Sequence, residues 1–130
     1  MAADGNVVSA SKHAARVDGR SGESKLVRAS LTAAVLFVVN IALISAALAF
    51  QNIALKLFAA TVAGVVITML AIIAHDVAHG AFSRDRRTNT LLGSICFLPG
   101  LHPYGLWKYH HNVMHHGRTA QIGLDDGYPP

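Results

Sequence analysis

A chain of 130 residues has room for one domain. Hydrophobic residues make up 52% of it and the mean hydropathy is +0.40; the apolar excess is gathered into two blocks, which points to a membrane protein. The net charge of +4 does not mark a nucleic-acid binder, because the bases flank those blocks. The single cysteine, Cys96, excludes an internal disulfide framework and a cysteine-rich zinc module, and reads as an inert buried thiol.

Residues 1–30 are small, polar and charged, with Gly5, Gly19 and Gly22 scattered among them. They read as a flexible cytoplasmic tail in which His13 is solvated surface. Residues 31–50 carry no charge; at about 1.5 Å per residue they span about 30 Å, the thickness of a bilayer core. Asn40, near the middle, is expected to make a helix–helix hydrogen bond. Ala47-Leu48-Ala49 has the small-x-small pattern of a signal cleavage site, but the long leader and a second apolar run favour a retained helix.

Gln51 and Asn52 make a turn, and Lys56 can snorkel to the outer interface. The second span covers about residues 55–74, with residues 57–74 free of charge. Ala60 and Gly64 predict close approach to a partner helix. Arg16, Arg20, Lys25 and Arg28 precede the first span, and Arg84, Arg86, Arg87, Lys108 and Arg118 follow the second. The positive-inside rule then places both termini on the cytoplasmic side. Residues 91–101 are apolar but too short to span, and fit an interfacial or re-entrant segment. Trp107 and Tyr109 are expected at the headgroup level. The fold class is all-α: a two-helix transmembrane hairpin followed by interfacial or cytoplasmic helical segments.

Six of the eight histidines fall in two clusters, His75-Asp76-Val77-Ala78-His79 and His110-His111-Asn112-Val113-Met114-His115-His116. Histidine is the commonest neutral metal ligand. On a helix, His75 and His79 share a face, His111 and His115 repeat that spacing, and His116 points about 100° further round. All-nitrogen ligation suits iron, zinc, copper or nickel better than magnesium or calcium. His102, beside Pro103, reads as structural, with the option of a spare ligand.

The motifs resemble those of membrane fatty acid desaturases. His75-Asp76-Val77-Ala78-His79-Gly80-Ala81-Phe82 is similar to that family's first histidine box, H-D-x-x-H-G-x-F. Trp107-Lys108-Tyr109 leading into His110 to His116 resembles the second, ending H-N-x-x-H-H, and Gly123-Leu124-Asp125 resembles a G-x-D found downstream in bacterial members. Two departures stand out: Thr119-Ala120 replaces the usual T-N, and the third box is absent. The resemblance implies a non-haem di-iron centre that uses O₂ and electrons from an external, ferredoxin-like carrier to introduce a double bond into an acyl chain. The ligands it implies are His75, His79, His111, His115 and His116, with His110 as a sixth candidate. Asp76 and Asn112 are candidates to orient ligand histidines.

Two ions with about four protein ligands each call for about eight, so the chain is expected to form an incomplete centre and to be truncated before the third box. An inactive or accessory membrane fragment is therefore one alternative. A related membrane hydroxylase is another. A metalloprotease is a third, since His75-Asp76-x-x-His79 differs from H-E-x-x-H at the acid, which is one methylene too short for the general base.

Overall fold

The computed structural model describes residues 4–125, with side chains from residue 22 onward. Among the described residues there are four α-helices and no strand: α1 (Asp4–Ala49), α2 (Ile53–Ala78), α3 (Arg86–Phe97) and α4 (Tyr104–Tyr109). A 3₁₀ turn, Leu98–Gly100, links α3 toward α4, and α4 runs on into one π-helical turn, His110–His115. The side chain of His13 lies outside the described residues.

α1 and α2 contain segments long and apolar enough to cross a membrane, Gly22–Ala49 and Ile53–Ala78, with hydropathies of 2.4 and 2.5. Only 11% of the first apolar window and 28% of the second is buried within the structure. A helix at the core of a soluble domain would be mostly covered. Here Val35, Val38, Ile41, Leu48, Phe58, Val65, Met69 and Ile72 face outward, as a lipid-facing surface requires. The first helix begins upstream of Leu31. Residues 22–30 are helical because no proline or other breaker separates them from the apolar run, and Ala29 is buried against the core while Leu26 packs on it.

The hairpin turn leaves the first amides of α2 without helical partners, and Asn52 caps them: its Oδ1 accepts from Ala54 N at 2.9 Å and Leu55 N at 3.2 Å. Within the hairpin, Asn40 is 1% exposed and donates from Nδ2 to the Ala63 carbonyl at 2.9 Å, the interhelical bond expected from its position in the span. Lipid tails are as apolar as leucine, so association of the spans relies on close packing and such bonds. The close approach is not made by Ala60 and Gly64, which are exposed. The buried face of α2 is Ala59, Ala63, Val66, Leu70 and Ala74, one helical stripe displaced from that pair.

The apolar segment after the hairpin, residues 91–101, is the second half of α3 followed by the 3₁₀ turn. Asp85 starts α3 by accepting from Arg87 N at 3.2 Å and Thr88 N at 2.9 Å. Leu92, Cys96 and Phe97 pack with Leu70, Ala74, Val77 and Ala78 of α2 and with Tyr104 of α4. Gly93 lets this happen, because a Cβ there would collide with the Tyr104 ring. Cys96 is 1% exposed, and burial pushes its thiol up to about 11, so it stays protonated.

Candidate metal centre

The first cluster stands at the end of α2, and the backbone explains why the helix stops there. Gly80 has φ +74°, its N–H donates to Val77 O at 2.9 Å, and Ala81 N donates to Asp76 O at 3.2 Å. This is a Schellman closure, which needs a left-handed residue that glycine supplies without strain. The glycine after the second histidine therefore ends α2 immediately beyond His79. His75 and His79, one turn apart, are left at the mouth of the helix with ring centroids 4.7 Å apart.

The second cluster departs from the α-helical geometry expected for it. Residues His110–His115 form a π-turn, with His116 N donating to His111 O at 3.1 Å. An i, i+5 hydrogen bond brings residues five apart onto one side. His111 and His116 thus meet, Nε2 to Nε2 at 3.2 Å, although an α-helix would have pointed them apart. His111 and His115 remain in ring contact, with centroids 5.6 Å apart and planes 29° apart.

Packing of α4 on α2 and α3 carries His111 to the first cluster. Its Nε2 lies 3.3 Å from His79 Nε2, and its ring lies 4.7 Å from that of His75. His75, His79 and His111 offer ligand nitrogens that all lie within 4.8 Å of one another. His116 flanks this triad against His79 at 5.0 Å, and His115 lies against His116 at 5.2 Å. His110 lies instead against Tyr109, and His102 against Phe97.

The donor set suits a metal ion on two grounds. Two imidazole nitrogens about 2.0–2.1 Å from one divalent ion lie about 2.8–3.4 Å apart at square or tetrahedral angles; the observed 3.2 and 3.3 Å fall within that span. Secondly, an imidazole nitrogen has one in-plane position, filled by a proton or by a lone pair. His111 Nε2 faces both His79 and His116, so a single proton bridges it well to only one of them. A cation receiving all the lone pairs removes the conflict. Two of the rings are also biased toward the neutral form. His111 is lowered to about 4 by burial and then by His75, His116, His79 and His115, any of which would repel its charge. His79 is lowered by burial, then by His75 and His116, with Asp76 opposing.

The supporting residues divide differently from expectation. Asp76 Oδ1 accepts from His75 Nδ1 at 3.2 Å in a largely exposed pair. Asn112 donates to the Ala78 carbonyl at 3.0 Å rather than to a ring nitrogen, so it ties the π-turn to the end of α2. Two contributors were not foreseen. Trp107 is half-buried and stacks on His111, with centroids 4.7 Å and planes 9° apart. The spacing of four between them was the available signal. Asp125 is 4% exposed and accepts from His115 Nδ1 at 2.7 Å and from Ala120 N at 2.8 Å. The G-x-D resemblance marked its position without a role.

A family model described as fatty acid desaturase matches residues 51–129. Over 67 residues the chain is 34% identical to the chloroplastic omega-6 fatty acid desaturase of Arabidopsis thaliana, a match covering 52% of this chain and 15% of the relative. It is 37% identical to the sn-1 oleoyl-lipid 12-desaturase of Arthrospira platensis, covering 52% and 19%. It is 33% identical to the sn-1 acyl-lipid omega-3 desaturase (ferredoxin) of Synechocystis sp. (strain ATCC 27184 / PCC 6803 / Kazusa), covering 52% and 18%. The matched stretch is thus less than one fifth of the length of each of these relatives. No solved structure matches the chain.

Proposed function

Because the chain belongs to the fatty acid desaturase family, we propose that its histidine cluster forms part of a non-haem di-iron centre that introduces a double bond into the acyl chain of a membrane lipid. The observation that carries this reading is the convergence of His75, His79 and His111 from two separate segments to within 4.8 Å. His75, His79, His111, His115 and His116 are the chain's contribution to iron binding. We leave His110, whose ring lies edge-on to that of its neighbour Tyr109, outside this set. Iron in this setting supplies the redox chemistry by which O₂ removes hydrogens from adjacent methylenes.

The chain's own residues contribute position and environment. Neutral imidazoles bind the ion without adding charge beside a bilayer. Asp76 turns His75 by accepting from its Nδ1, leaving Nε2 as the ligand atom. Trp107 fixes the His111 ring by stacking, and Asn112 fixes the register of the π-turn against α2. The exposed edges at His79 and His116 leave the centre open on one side, where further ligands, O₂ and acyl substrate have access. The apolar hairpin anchors the centre at the membrane surface. Arg84, Arg86 and Arg87 follow the second span and support a cytoplasmic location for the centre and both termini. A ferredoxin-like carrier is the electron source, by analogy with the Synechocystis relative, an omega-3 desaturase named for ferredoxin.

Product analysis tests the reading. Residues 51–129, set in place of the matching segment of the Arthrospira platensis relative and supplied in lipid nanodiscs with Fe(II), reduced ferredoxin and O₂, are expected to yield an alkene in the lipid acyl chains. An alcohol would establish a hydroxylase instead, and no product above the iron-free control would overturn the reading.

A further inference from the structure

We propose that Asp125 is a positioning residue that locks His115 in the tautomer able to bind metal. The inference rests on the iron reading of the cluster above. Asp125 belongs to neither histidine cluster, but turns after His115 fold the chain back. Arg118 N donates to His115 O, Gln121 N to Arg118 O, and both Leu124 N and Asp125 N to Gln121 O. The returned carboxylate is 4% exposed, with Oδ1 2.7 Å from His115 Nδ1 and Oδ2 2.8 Å from Ala120 N.

A carboxylate has no donor, so His115 Nδ1 must carry the proton of that short bond. The neutral ring then holds its lone pair on Nε2, on the edge away from Asp125. That ring lies among its partners, 5.6 Å from His111 and 5.2 Å from His116. Carboxylate, imidazole and metal in sequence are the arrangement by which outer contacts fix ligand histidines.

The Ala120 amide makes the proposal sharply testable. In Asp125→Asn, the side-chain oxygen must face the Ala120 N–H, because that amide only donates. The new NH₂ group then faces His115 Nδ1 and forces the ring proton onto Nε2, blocking ligation. Asp125→Glu keeps two acceptors and serves as the conservative control.

Two readouts on the full chain in detergent decide it. In metal-free protein labelled with ¹⁵N-histidine, His115 is expected as the Nδ1–H tautomer in wild type and Asp125→Glu, and as Nε2–H in Asp125→Asn. Co(II) titration is expected to show affinity about 10- to 100-fold weaker in Asp125→Asn, with Asp125→Glu closer to wild type. An Nε2–H tautomer in wild type overturns the proposal, as does weakened affinity in Asp125→Asn without a change of tautomer. Unchanged affinity in a folded Asp125→Asn protein overturns it too. A wild-type chain that takes up no Co(II) defeats the metal reading itself, and the metal-free tautomer separates that failure from a failure of Asp125.

Discussion

His111 and His116, five residues apart, bring their Nε2 atoms to 3.2 Å because the backbone between them is wound as a π-turn. In an α-helix the pair would point apart, and His111 would have only His115 beside it on its own turn. The turn therefore sorts the four histidines of the second cluster. His116→Ala is expected to weaken Fe(II) binding by more than about 100-fold, beyond the usual loss for an outer contact. His110→Ala is expected to leave it within about threefold, well below that range. Anaerobic Fe(II) titration of the two variants checks the assignment.

The depressed histidines give the metal-free protein a signed pH dependence. An unfolded histidine takes up its proton near pH 6.5, whereas folded His111 resists until about pH 4. Between those values the unfolded state binds more protons, so stability falls as pH falls from about 6.5 toward 4. His79, also lowered, acts in the same direction. Denaturation in detergent across that range should show the decline, and His111→Phe should flatten it.

Asn40 makes the interhelical bond of the hairpin, to the Ala63 carbonyl. Asn40→Ala is expected to destabilise the hairpin by about 1 kcal/mol, since interhelical bonds in lipid contribute about 0.6–2 kcal/mol. Unfolding in mixed micelles measures it.

Gly93 is where α3 rests on the Tyr104 ring. Gly93→Ala should cost about 1–3 kcal/mol through overpacking, despite the better helix propensity of alanine. Because Tyr104 opens the helix that carries Trp107 and His111, the same variant should weaken Fe(II) binding.

Ala120 has φ +61°, in a region that L-residues with a Cβ enter at a cost of about 1–2 kcal/mol. Its N–H donates to Asp125 from there. Asparagine, which the resemblance to the T-N pattern leads one to expect here, tolerates left-handed backbone. Ala120→Asn is expected to raise stability by about 0.5–1 kcal/mol and to leave Fe(II) affinity unchanged or improved, as thermal melts and titration would show.

The residues that were legible from sequence owe it to local rules. Charge-free length marked both spans, a polar group within a span marked Asn40, and one-turn spacing placed His75 beside His79. What stayed hidden depended on the third dimension or on an unusual winding. No local rule distinguishes a π-turn from an α-helix at His110–His115. The stripe Ala59–Ala63 could not be told from Ala60–Gly64 without the partner helix. Asp125 reaches His115 only because the intervening turns fold back, and the tie from Asn112 to Ala78 crosses between segments.

The central claim is that His75, His79 and His111 together hold iron. Counting tightly bound Fe(II) per chain after anaerobic loading and desalting tests it most directly, with wild type set beside His79→Ala and His111→Ala. At least one iron per wild-type chain, lost in both variants, is the expected result. Iron retained equally by all three proteins, or by none, would contradict it.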